Sequence, residues 1–120
     1  MRILIVEDDA IIAMGLAEGL REEGLEVVGP VHSVADALQA LAADTPDAAV
    51  LDVRLKRGGG SDIAASLRAQ GVPFIWLTGL LPENFDTFGA PVLHKPTPLE
   101  DLANALRALP VRLPADNRPG

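Results

Sequence analysis

Short apolar runs alternate along this chain with longer stretches in which apolar residues return every three or four positions. Arg2 to Val6 closes on four consecutive apolar residues, the pattern of a strand covered on both faces. From Asp9 to about Glu23, Ile12, Leu16, Ala17 and Leu20 recur at helical spacing, and Gly24 stops the run. Glu26 to Gly29 forms a second strand. Ser33 is placed to cap a helix whose inward residues are Val34, Ala37, Leu38 and Leu41. Pro46-Asp47 breaks the chain before a third strand, Ala48 to Leu51. A loop from Arg54 to Gly60 ends in three glycines, which predicts flexibility there. Ser61 is read as the cap of a third helix with Ile63, Ala64 and Leu67 inward. Val72 to Leu77 and Val92 to His94 are the last two strands. Thr97 as N-cap, Pro98 at the first helical position and Glu100 in the capping-box position open a final helix that ends near Leu109-Pro110.

This alternation predicts an α/β domain, a five-stranded parallel sheet with helices on both faces. Between the fourth and fifth strands Pro82, Gly89 and Pro91 leave a short, distorted or missing helix. Residues 1–109 form one domain, and 110–120, with three prolines and few apolar groups, a mobile tail. No internal repeat is present.

Charge narrows the function. Ten basic against 17 acidic residues give a net charge of -7, and the basic residues are scattered, so no nucleic-acid footprint exists. There is no cysteine, which excludes disulfides and thiolate metal sites. Three acids follow the first apolar run at once, unlike a secretory signal, and no apolar run is long enough to span a bilayer; a cytoplasmic location is expected.

In such folds the functional groups gather where strands end, beside the point at which the strand order reverses. The first strand ends in Glu7-Asp8-Asp9, the third in Asp52, the fourth in Thr78-Gly79 and the fifth in His94-Lys95-Pro96. Carboxylates on one rim repel: at about 4 Å and an effective dielectric of ~20, each close pair costs on the order of 4 kcal/mol. Either some stay protonated or a cation sits among them. Oxygen donors without His or Cys favour a hard ion such as magnesium. A carboxylate nucleophile, a divalent metal, the Lys95 ammonium and the Thr78 hydroxyl make a coherent phosphoryl-transfer set.

Singly, each residue has a plainer reading: Asp52 as a strand-end cap, Thr78 as a β-branched strand residue, Lys95 as a solvated lysine, and the acidic run as a helix N-terminus. The plainer reading is adopted for Asp9, as a cap. His32 and His94 are structural or surface residues, Trp76 is core, and Phe85 and Phe88 are read as packing rather than as a partner surface.

The motifs "VEDD", "LDVRL", "LTG" and "HKP", in this order and at four strand ends, resemble the receiver domain of bacterial response regulators over residues 2 to about 109. The resemblance implies a flavodoxin-like, doubly wound (βα)5 fold. It implies Asp52 as phosphoryl acceptor, with Mg2+ or Mn2+ held by Asp8, Asp52 and the backbone carbonyl of Arg54, and by Glu7 through water. Lys95, paired with Asp52 beforehand, and Thr78 would contact the phosphoryl group, and the Lys95-Pro96 peptide would be cis. The implied partners are a sensor histidine kinase or a histidine phosphotransfer protein and an unknown downstream protein, with no nucleic acid and no membrane, for a stand-alone monomer or weak dimer. Autophosphorylation and self-dephosphorylation would be its only enzymatic acts.

The chain departs from the family at three places. Val92 stands where an aromatic residue usually sits, Lys56 where a proline is common, and the stretch from Thr78 to Lys95 is short. Two alternatives stay open: a receiver-like module that binds without phosphorylation, and a magnesium-dependent phosphohydrolase with an aspartate nucleophile. The latter wants a second Asp two residues after the first, where this chain has Arg54.

Overall fold

The computed structural model of the chain describes residues 1–53 and 60–110. Five strands and four helices follow in the order β1 (Arg2–Val6), α1 (Ala10–Glu22), β2 (Glu26–Val31), α2 (Val34–Ala43), β3 (Ala48–Asp52), α3 (Gly60–Ala69), β4 (Phe74–Thr78), β5 (Val92–His94) and α4 (Leu99–Ala108). All strands are parallel, in the order β2-β1-β3-β4-β5. This is the flavodoxin-like order. The chain winds outward from β1 to one edge, then returns to β3 and proceeds to the other, so the order reverses between β1 and β3.

Alternation along the buried strands splits the core into two layers. Ile3, Ile5, Val50, Ile75 and Leu77 pack with Ala17 and Leu20 of α1 and with Leu102 and Leu106 of α4. Leu4, Leu51, Phe74 and Trp76 face the other way, onto Ala37 and Leu41 of α2 and Ile63 and Leu67 of α3. β1, β3 and β4 are buried along nearly their whole length because helices cover both faces. The edge strand β2 is only half-buried.

Several elements differ in detail from the sequence expectation. β2 runs on to Val31 through an irregularity in its register with β1. Gly29 makes this possible: its φ is +91°, and a Cβ there would lie 2.8 Å from the Val31 nitrogen. In α1 the inward residues are Ala13, Ala17 and Leu20, whereas Ile12 is 42% exposed. Two constraints turn the helix this way. Asp9 fixes its start by accepting from the Ile11 and Ile12 amides, and Gly19 sits against Leu99 of α4 so closely that a Cβ would approach Leu99 Cγ to 2.5 Å. Ile12 is thereby carried to the rim of an acidic recess. In α2, Leu38 is exposed and Ala37 and Leu41 make the contact.

α3 begins at Gly60, so Ser61 lies in its first turn rather than capping it. β4 starts at Phe74, two residues late, because the Val72 amide is used to close the end of α3 on the Leu67 carbonyl. Pro98, not Thr97, is the N-cap of α4, without a side-chain cap bond; the Thr97 hydroxyl donates instead to the His94 carbonyl. Ser33 caps α2 through the Asp36 amide, as expected.

Between β4 and β5 the described residues form turns and no helix. Asn84 and Phe88 have φ of 61° and 56°, in the left-handed region that ends regular helices. Phe85, Phe88 and Ala90 lie against the Trp76 layer and cover the sheet where a fourth crossover helix would sit. Trp76 is fully buried, and the two phenylalanines pack. The expected mobile tail falls, from residue 111 on, outside the described residues, as do Arg54, Lys56 and two of the loop glycines.

Candidate functional site

The reversal of strand order brings the ends of β1 and β3 side by side. Val6 pairs with Leu51 in register, so Glu7 and Asp52 leave neighbouring strands at the same level. Asp52 in turn pairs with Leu77, and Thr78 with His94, which carries Thr78 and Lys95 to the same rim. The Lys95 amide donates to the Thr78 carbonyl at 2.7 Å. Lys95-Pro96 is cis, as the family resemblance implies. Glu7, Asp8, Asp9, Ile12, Asp52, Gly79 and Lys95 line an open recess of about 430 Å³ there.

Glu7 is 2% exposed, Asp52 8% and Thr78 0%. One oxygen each of Glu7, Asp8 and Asp52 lie within 4.8 Å of one another. Burial raises the Glu7 carboxyl from 4.5 to about 7, helped by its hydrogen bond to Asp52 and by the Asp52 charge. A bond from the Asp9 amide (3.3 Å) and the Lys95 charge offset this only partly. The Glu7 carboxyl therefore keeps its proton to a higher pH than a solvated glutamate does.

The Lys95 ammonium lies 3.2 Å from Glu7 Oε1 and 3.8 Å from Asp52 Oδ2. The expected Lys95–Asp52 pairing is present, but Glu7 is the nearer partner. Motif position says nothing about which of two acids a flexible lysine reaches. The Thr78 hydroxyl donates to the Leu80 carbonyl (2.8 Å) and accepts from the Leu80 amide (3.1 Å), which fixes it at the mouth of the following loop.

Of the residues singled out from the sequence, Glu7, Asp8, Asp52 and Lys95 line one recess, with Thr78 at the adjacent strand end. The Arg54 carbonyl lies outside the described residues. Asp9 serves as the cap of α1, the role assigned to it. His32 sits beside the site, with Nδ1 2.9 Å from the Glu7 backbone carbonyl, and His94 is exposed. Gly79 lines the recess, as its place at the end of β4 implies, whereas Ile12 is an unexpected lining residue. Its spacing places Ile12 in the core, but the Asp9 cap and the Gly19–Leu99 contact turn it to the recess. The donor set is oxygen alone, three carboxylates on a half-closed rim, and fits a hard divalent cation.

A family model described as response regulator receiver domain matches residues 3–107. The transcriptional regulatory protein PdtaR of Mycobacterium tuberculosis is 35% identical over 111 residues, covering 88% of this chain and 54% of PdtaR. The response regulator protein PmrA of Pseudomonas aeruginosa is 39% identical over 116 residues, covering 91% of this chain and 52% of PmrA. The chain thus spans about half the length of these curated relatives. Among solved structures, SdrG from Pseudomonas melonis Fr1, in its BeF3-activated conformation, has a TM-score of 0.74 at 40% identity, covering 89% of this chain and 93% of SdrG. No helix among the described residues is long and apolar enough to cross a membrane. The strand order, the acidic rim and these matches agree: the chain belongs to the response regulator receiver domain family of two-component systems.

Proposed function

We propose that this domain accepts a phosphoryl group on Asp52 from a phosphohistidine on a sensor kinase or a histidine phosphotransfer protein. The observation that carries the reading is the convergence of a nearly buried carboxylate with two further acids and an ammonium on one open rim, beside a buried hydroxyl. Asp8, Asp52 and the Arg54 backbone carbonyl would hold Mg2+ (or Mn2+), with Glu7 reaching it through water. When bound, that ion offsets the negative charge gathered on the carboxylates and the phosphoryl oxygens.

The protein's own residues do the rest. A carboxylate oxygen of Asp52 attacks phosphorus, the bond from phosphorus to the donor imidazole nitrogen breaks, and that nitrogen keeps the electron pair. Lys95, now shared between Glu7 and Asp52, is near enough to hold a phosphoryl oxygen, and it supplies a fixed positive charge where negative charge accumulates. Thr78 can turn its hydroxyl from Leu80 toward a further phosphoryl oxygen. The resulting acyl phosphate changes charge and contacts at the β4 end, and shifts the domain between two conformations. Output is carried by protein–protein contact or by drawing phosphate from a shared kinase.

Incubation with acetyl phosphate, with and without Mg2+, tests this by intact mass. A magnesium-dependent gain of one phosphoryl group, lost in Asp52→Asn, is expected. A folded wild-type protein that gains nothing from acetyl phosphate or from phosphorylated histidine proteins would contradict it.

A further inference from the structure

Side-chain hydrogen bonds hold the crossover from Gly79 to Pro91 to β4 at two points two residues apart on one face of that strand. Near its start, the Thr78 hydroxyl binds both the carbonyl and the amide of Leu80. Near its end, the Trp76 indole N–H donates to the Thr87 carbonyl at 2.9 Å. Between these ties the Phe85 ring meets Trp76 edge-on, with centroids 4.9 Å apart.

The segment so held is not relaxed. Phe88 has a φ of 56°, a strained conformation for a bulky residue that persists only where its surroundings enforce it. Here they do: Asp86 accepts from the Phe88 amide at 2.8 Å, and Arg68 of α3 donates to its carbonyl at 3.3 Å. Leu80 adds no apolar anchor, since its side chain is 72% exposed. If Thr78 lets go, the Trp76 indole bond and the Phe85 contact are the ties left along the segment, with the Trp76 amide still donating to the Pro91 carbonyl (2.9 Å) at its far end. Trp76 also pairs in register with Val92, so the bulk that the family usually places at position 92 is supplied here by the neighbouring strand.

We propose that the 79–91 crossover is a strained strap latched by Trp76, and that phosphorylation of Asp52 releases it when Thr78 abandons Leu80. The change seen by a partner is then the uncovering of Phe85 and Phe88 beside α3. It requires neither a fourth crossover helix nor an aromatic residue at position 92. The proposal rests on the phosphoacceptor reading of Asp52, and its test separates the two.

Trp76 is the chain's one tryptophan and there is no tyrosine, so its emission reports the latch without interference. Full-length protein is titrated with beryllofluoride and Mg2+. Fluorine NMR counts bound beryllofluoride, while tryptophan emission and amide exchange at Phe85 and Phe88 read the strap. Emission should shift in step with occupancy, and exchange should quicken about fivefold or more. Trp76→Phe keeps a ring but removes the N–H. One hydrogen bond of about 1 kcal/mol corresponds to about fivefold. That variant should therefore show about fivefold faster exchange before any ligand is added, and by linkage should bind beryllofluoride about fivefold more tightly. Should it fail to fold, Phe85→Leu, which loosens the same strap from its outer side, carries the same expectations.

Bound beryllofluoride with unchanged emission and exchange overturns the latch and leaves the phosphoacceptor reading standing. Unchanged affinity in a folded Trp76→Phe also overturns it. Absence of bound beryllofluoride from the folded wild type overturns the phosphoacceptor reading, and the latch falls with it.

Discussion

Replacing Glu7 by glutamine should stabilise the metal-free protein, and only at higher pH. Glu7 is 2% exposed and its carboxyl is raised from 4.5 to about 7, mainly by burial and then by Asp52. The unfolded chain releases this proton near the lower value and the folded chain near the higher one. Between them the folded state binds more protons, so stability falls as pH rises. The favourable contribution is complete below about pH 4.5 and gone above about pH 7. At about 1.4 kcal/mol per pH unit, that interval amounts to about 3 kcal/mol. Glutamine keeps the shape and a donor toward Asp52 while never ionising. Urea unfolding in chelator at about pH 5 and about pH 8 should show Glu7→Gln ahead by less than about 1 kcal/mol at the lower pH and by about 3 kcal/mol at the higher. For a domain of this size the latter corresponds to roughly 10 °C in Tm. Excess Mg2+ should erode the advantage at the higher pH, because the wild-type carboxylate then has a cation to face. An equal difference at both pH values, or a variant less stable than wild type at about pH 8, would refute the reasoning.

Other substitutions probe the same architecture. Lys95→Met removes the ammonium 3.2 Å from the buried Glu7; in chelator near pH 8 it should cost about 1–3 kcal/mol by urea unfolding, and should slow phosphoryl uptake from acetyl phosphate tenfold or more. Gly29→Ala, at φ +91° with its Cβ 2.8 Å from the Val31 nitrogen, should lower stability by about 1–3 kcal/mol, seen as a shift in urea midpoint at constant slope. Gly15→Ala should do the reverse: this glycine lies inside α1 with nothing within 4 Å of an added Cβ, so alanine should stabilise by about 0.5–1 kcal/mol, and a loss of stability would show that the exposed face of α1 is misplaced.

The strands and the identity of the rim residues were legible because both follow from short-range rules. A parallel sheet covered on both faces forces continuous apolar runs, and the first polar residue after each run must lie on the carboxyl rim. Glu7, Asp52 and Thr78 follow from that rule with no knowledge of contacts, whereas Lys95 stands one place beyond His94, the first polar residue of β5, and is found by its motif. The errors came where tertiary packing outranks local pattern. Ile12 has helical core spacing, yet the Asp9 cap and the Gly19–Leu99 contact turn it to the recess. Ser61 and Thr97 resemble caps, but α3 starts a residue earlier and Thr97 is bound to His94. The absence of a helix after β4 was signalled by proline and glycine, whereas the strap that replaces it depends on the Trp76–Thr87 bond, which no spacing rule encodes. The preference of Lys95 for Glu7 over Asp52, at 3.2 Å against 3.8 Å, belongs to the same class and is set by the whole rim.

Whether Asp52 carries the phosphoryl group is tested by locating the group. Protein treated with acetyl phosphate and Mg2+ is reduced with borohydride, which converts an aspartyl phosphate to homoserine, and is then digested and sequenced by mass spectrometry. Homoserine is expected at position 52 and nowhere else, with none when Mg2+ is withheld. Homoserine at Asp8 or Asp9, or a phosphoryl group on His32 or His94 with Asp52 unmodified, would contradict it.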